Sequence, residues 1–148
     1  MKRTFAFVLA SMALAAGLAQ AQQAPAAAGP YDYILAAAPA NQRADATVIK
    51  WKADQTYDTL KKGTNRMVCY DRTGQAGQPP FSVECTSIAN LDRVAQNLKT
   101  ETITDKAARD AAFDKMEKDG TRVKPEFGSV WIHMGGMDQA SARMHTTV

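Results

Sequence analysis

The chain has only two cysteines and two histidines among 148 residues, and its longest apolar stretch, Phe5–Leu18, is 14 residues long. Each shortage excludes something. Crossing a bilayer as a helix takes about 20 apolar residues, so a multi-pass membrane protein is excluded. The two cysteines lack the C-x-x-C spacing of redox dithiols and the two close pairs of structural zinc. No G-x-S-x-G, H-E-x-x-H, G-x-G-x-x-G or P-loop pattern occurs, and there is no internal repeat. The length fits one domain and excludes a multidomain enzyme, and the composition excludes a coiled coil or a collagen-like rod.

What is present begins with an address. Met1-Lys2-Arg3 is positive, Phe5–Leu18 is apolar, and Ala19-Gln20-Ala21 is a small-residue A-x-A site. This predicts a cleaved signal peptide over residues 1–21 and a periplasmic or secreted protein. The segment carries Lys2 and Arg3 and no acid, so the mature chain keeps 16 of the 18 basic residues against 15 acidic ones. That near-neutral balance has no basic stripe and does not suggest nucleic acid. Arg43, Lys50, Lys52, Lys61, Lys62, Arg66 and Arg72 alternate with acids and polar groups and read as a solvated face. Residues 22–30 (QQAPAAAGP) offer no large side chain to bury and read as a flexible leader, with a single domain over 31–148.

The mature chain reads as α+β: a mostly antiparallel sheet with two helices on one face. Strand character is expected at residues 46–52, 56–60, 66–72, 81–87, 129–134 and 142–148. Turns fall at 53–55, at Lys62-Gly63-Thr64-Asn65, across the Gly/Pro loop 73–80 and at Gly135-Gly136. Leu91, Val94, Ala95 and Leu98 recur at helical spacing, with Asn90 as the expected N-cap. A second helix, 106–119, carries Ala108, Ala112 and Met116 on one stripe. Thr102 and Asp105 resemble a capping box before it, and Gly120 is the stop.

Cys69 and Cys85 flank the Gly/Pro loop, with Gly77 midway. A hairpin centred there sets the two cysteines directly opposite one another, and export would oxidise them, so a hairpin disulfide is expected. The same register sets Glu84 opposite Tyr70 and Asp71 opposite Val83. The two carboxylates then point to opposite faces and do not form a catalytic pair.

The segment Ala36-Ala37-Ala38-Pro39, Ala46-Thr47-Val48 with Trp51, Leu60-x-x-Gly63-Thr64-Asn65 and Cys69 resembles a group of small secreted bacterial proteins of unknown function. The resemblance covers roughly residues 35–70. It implies that the tryptophan strand, the Gly-Thr-Asn turn and the cysteine belong to one module, and it carries over no catalytic or binding residue.

Near the C-terminus the order His133-Met134 … Met144-His145 is nearly palindromic. Pairing 130–134 with 144–148 sets His133 opposite His145 and Met134 opposite Met144. Three functions follow. The leading one is an exported, non-catalytic domain that binds a small molecule or a partner protein. The second is a soft-metal site for copper or silver built from His133, His145, Met134, Met137 and Met144, with Asp138 lending an oxygen, since imidazole suits Cu(II) or Zn(II) and thioethers Cu(I). The third is a hydrolase-like enzyme with dispersed catalytic residues.

Overall fold

A computed structural model describes residues 29–148 of the chain. The signal segment 1–21 and nearly all of the 22–30 leader lie outside the described residues. Within them, a one-turn helix α1 (Asp32–Leu35) precedes strands β1 (Thr47–Trp51), β2 (Tyr57–Lys61), β3 (Met67–Asp71) and β4 (Phe81–Ser87). Helices α2 (Leu91–Glu101) and α3 (Lys106–Lys118) follow, then β5 (Trp131–Gly136) and β6 (Arg143–Thr147). The six strands form one sheet in the order β2-β1-β3-β4-β5-β6. Every neighbouring pair is antiparallel except β1 and β3, so the fold is α+β with a mostly antiparallel sheet.

The parallel pair exists because β2 folds back along one side of β1 and the chain then crosses to the other side to begin β3. Gly63 makes the crossing possible. A Cβ there would sit 2.2 Å from the carbonyl oxygen of Asp45 and 2.5 Å from the backbone of Ala46 and Thr47. The turn is tied down as it passes. The Thr64 and Asn65 amides both donate to the Asp45 carbonyl, at 2.8 and 3.1 Å, and Asn65 Nδ2 donates to the Gln42 carbonyl. The Gly-Thr-Asn sequence thus welds the link between β2 and β3 to the start of β1.

Alternation along the strands divides the core in two. One face carries Val48, Met67, Cys69, Val83, Cys85 and Ile132, all buried, and is covered by Ile34, Leu35, Ala37, Ala38 and Ala46 of the N-terminal segment. Cys69 and Cys85 are register partners joined by a disulfide. Closing a loop of this length stabilises by about 3 kcal/mol in the chain-entropy view. The other face carries Ile49, Val68 and Tyr70, onto which α2 packs Leu91 and Val94, with Trp51, Leu98 and Trp131 at the margin. Helix α3 packs against α2 and has no fully buried residue; Ala108 of the expected stripe and Ala111 beside it are exposed, and its half-buried side is Arg109, Ala112, Phe113 and Met116.

Several local expectations change. Asn90 does not cap α2 through its side chain. It is buried, and its amide instead donates to Thr86 Oγ1 and Ser129 Oγ and accepts from the Glu126 amide, tying β4 to the approach of β5. Asp105 is itself the N-cap of α3, accepting from the Ala108 amide at 2.7 Å, while Thr102 turns back to the Lys99 carbonyl. Gly135 and Gly136 continue β5, where they pair with Ser82 and Phe81, and the reversal comes later, at 137–142.

Candidate functional site

On the helix-bearing face, Tyr70, Glu84, His133 and His145 stand side by side across β3, β4, β5 and β6. Helix α2 covers the β1 and β3 end of this face. Over β4, β5 and β6 the face stays open and forms a groove of about 1050 Å³. Its walls are Arg93, Asn97 and Glu101 of α2 on one side and the segment 124–130 on the other.

A buried ion triad closes the inner end. The Arg72 side chain is nearly inaccessible. Its Nη1 donates to Glu84 Oε1 at 2.8 Å, its Nη2 to Glu101 Oε2, and its Nε to Gln75 Oε1 at 2.9 Å. The other Glu84 oxygen accepts from Tyr70 Oη at 2.8 Å and Trp131 Nε1 at 3.4 Å. Every oxygen of the Glu84 carboxylate therefore has a donor, as a buried charge requires. Burial pulls the Arg72 guanidinium pKa down, and Glu84 and Glu101 more than restore it, so the net shift is upward. Arg72 is thus not on a solvated face. Its partners lie 12 and 29 residues away, beyond the reach of local alternation.

Tyr70 is fully buried, and burial, followed by the charge of Glu84, holds its hydroxyl pKa well above the ordinary 10.0. The folded value exceeds the unfolded one, so Tyr70 contributes stability that is complete below pH 10 and is lost as pH rises through the folded pKa. Urea unfolding near pH 8 and near pH 11 is expected to show an alkaline loss that Tyr70→Phe reduces. An equal alkaline loss in the variant contradicts the assignment.

The five residues grouped by sequence do not converge. His133 and His145 are register partners on the groove face. Met134 and Met144 are also partners, but alternation puts them on the disulfide face, where Met134 packs against the core and Met144 is exposed. Met137 is exposed in the turn beyond β5. Asp138 is engaged locally, accepting from the Ser141 amide and hydroxyl at 2.8 Å each. Among the described residues no group of three or more His, Cys, Asp or Glu side chains is placed to hold a metal ion.

His133 is held with care. Its Nε2 lies 3.0 Å from Ser82 Oγ, and the Ser82 hydroxyl donates to Gln78 Oε1 at 2.7 Å. A hydroxyl has one proton to give, so the hydrogen between Ser82 and His133 belongs to the imidazole. Nε2 is therefore a protonated nitrogen, which in the neutral ring leaves the lone pair on Nδ1. The ring lies over Gly135, where a Cβ would come within 2.9 Å of both His133 Cε1 and Pro79 Cγ. A serine beside a histidine suggests a nucleophile and its base, but here the proton flow is reversed and Ser82 is 0 % exposed. The pair does not present an attacking oxygen.

Two features of the groove escaped sequence reading. One is Arg72 with its two carboxylates. The other is Phe127, which stands fully exposed at the rim, next to Gly128 with its positive φ of 73°. The Pro-Glu-Phe-Gly sequence at 125–128 was the available signal: an aromatic inside a turn-forming loop.

No family model matches the chain, and neither a curated protein nor a solved structure matches it. No helix among the described residues is long and apolar enough to cross a membrane.

Proposed function

We propose that this is an exported, non-catalytic binding domain that takes a small amphipathic molecule in the groove between α2 and the 124–130 segment. The observation that carries the reading is the groove itself: an open, largely apolar cleft laid over polar residues that the fold holds in fixed positions. Rigid clefts lined by apolar surface with a few fixed polar groups are where small molecules bind. Pro125, Val130, Trp131 and Val148 supply apolar surface for the body of the ligand. The acids of the groove are matched to arginines, Glu84 and Glu101 to Arg72 and Glu126 to Arg66. Lys124 at the groove wall then favours a ligand that brings a carboxylate or another acceptor group.

Export is supported by the Met1–Ala21 leader pattern and by the Cys69–Cys85 disulfide, which persists in an oxidising compartment. The likeness of residues 35–70 to small secreted bacterial proteins belongs to the same reading.

Phe127 gives the test. A large side chain with no intramolecular contact area to lose can be truncated without loss of packing. Phe127→Ala is expected to leave the melting temperature unchanged while weakening binding of aryl or acyl carboxylates about 3- to 10-fold, the scale of one aromatic contact. Titrations followed by Trp131 fluorescence would measure this. Equal affinity in both proteins, or no binding to the native chain across the panel, contradicts the proposal.

A further inference from the structure

We infer that His133 and His145 form a bidentate site for a borderline divalent cation, Cu(II) before Zn(II), that excludes the methionines. This inference is independent of the small-molecule reading. Its first support is register: the two imidazoles are directly opposed on adjacent antiparallel strands and border the same groove. Opposed side chains on such strands are about 4.5–5.5 Å apart at Cβ, a separation two imidazoles can bridge through one ion.

The second support is how His133 is held. A ligating histidine needs one nitrogen unprotonated and usually gives its other N–H to a fixed acceptor, which sets the tautomer and the ring orientation. Here Ser82 Oγ is that acceptor, and it is itself held by Gln78. The glycine at position 135 leaves room for the ring to reach it. The lone pair left on Nδ1 is the form a metal needs. His145 is exposed, and its ring is free to turn toward an ion without disturbing the core.

The third support is exclusion. Met134 and Met144 point through the opposite face of the sheet, so thioether sulfur does not join the site. Imidazole nitrogen without thioether sulfur selects Cu(II) and Zn(II) over Cu(I) and Ag(I). With only two protein ligands, the remaining positions fall to water or to an acceptor group from solution.

Cu(II) titration of the full chain, by calorimetry and by the nitrogen hyperfine pattern in electron paramagnetic resonance, tests the site. The native chain is expected to bind one ion with two nitrogen ligands. His145→Ala, at an exposed position that the fold tolerates, should weaken binding at least about 10-fold, and Ser82→Ala about 10- to 100-fold, the usual cost of losing an outer partner. A Met134→Leu/Met144→Leu variant should bind as the native chain does. Circular dichroism of each variant separates a lost ligand from a lost fold. Native-like binding in His145→Ala, loss of the ion in the methionine variant, or no binding at all would overturn the inference.

Discussion

Replacing Arg72 with methionine is expected to remove about 3–5 kcal/mol of folding stability at neutral pH, the usual cost of leaving a buried charge without its partner. The loss comes less from the missing guanidinium than from what remains. Glu84 and Glu101 both turn toward the vacated space, Glu84 from a buried position and Glu101 from the last turn of α2. Two carboxylates left facing each other in a poorly solvated site repel, and protonating one of them relieves the repulsion. Arg72→Met should therefore be weakest near neutral pH and recover part of its stability as the solution is acidified toward pH 5. A triple variant that adds Glu84→Gln and Glu101→Gln should regain most of the loss at neutral pH, because no charge is then stranded. Urea unfolding of the three proteins at both pH values measures the effect. A single variant as stable as the native chain would show that the triad is not a unit.

Gly63→Ala is the second large effect. The turn that lets β3 lie parallel to β1 passes within backbone contact of Asp45 and Ala46, and the added methyl would collide with main-chain atoms that have nowhere to retreat. Displacing the turn also breaks the pair of hydrogen bonds to the Asp45 carbonyl and the Gly63 amide's bond to Thr47 Oγ1. A loss of about 3 kcal/mol is expected, the upper range for forced overpacking. Thermal unfolding of the variant checks it. Gly77→Ala, at a glycine with open space around it, provides the comparison. Its cost should come from its positive φ of 76° alone and stay near 1 kcal/mol. Equal losses at the two glycines would remove the special role of Gly63.

These two residues also mark where sequence reading succeeded and where it ran out. The cysteine hairpin was legible because its two strands are symmetric about Gly77, so local alternation fixes both register and face. The His133–His145 and Met134–Met144 pairings were legible for the same reason, although Gly135 and Gly136 proved to be strand. Glycine in a strand is read as a turn unless one knows that an imidazole lies over it. The α2 stripe was visible in its spacing, but the cap was not. Asn90 is recruited by partners as distant as Ser129 and Glu126, and buried amide hydrogen bonding outweighed the local capping preference. The N-terminal segment that covers the disulfide face buries only Ile34, Leu35 and alanines, with Tyr31 half-buried against them, too short a run of large residues to announce a core layer. Arg72 was misread as solvated because both its carboxylate partners are remote in sequence. The groove followed suit, since its walls come from α2, from β4 to β6 and from the 124–130 loop, and no window of sequence contains them together.

The most direct test of the groove as the binding site is a proton–nitrogen correlation map of the isotope-labelled chain, recorded as aryl and acyl carboxylates are added. The account predicts that shifts concentrate at the Trp131 indole N–H, along 126–130 and at His133 and His145, while the disulfide face around Val83 and Cys85 stays still. Shifts centred on that opposite face, or none anywhere at saturating concentrations, would contradict it.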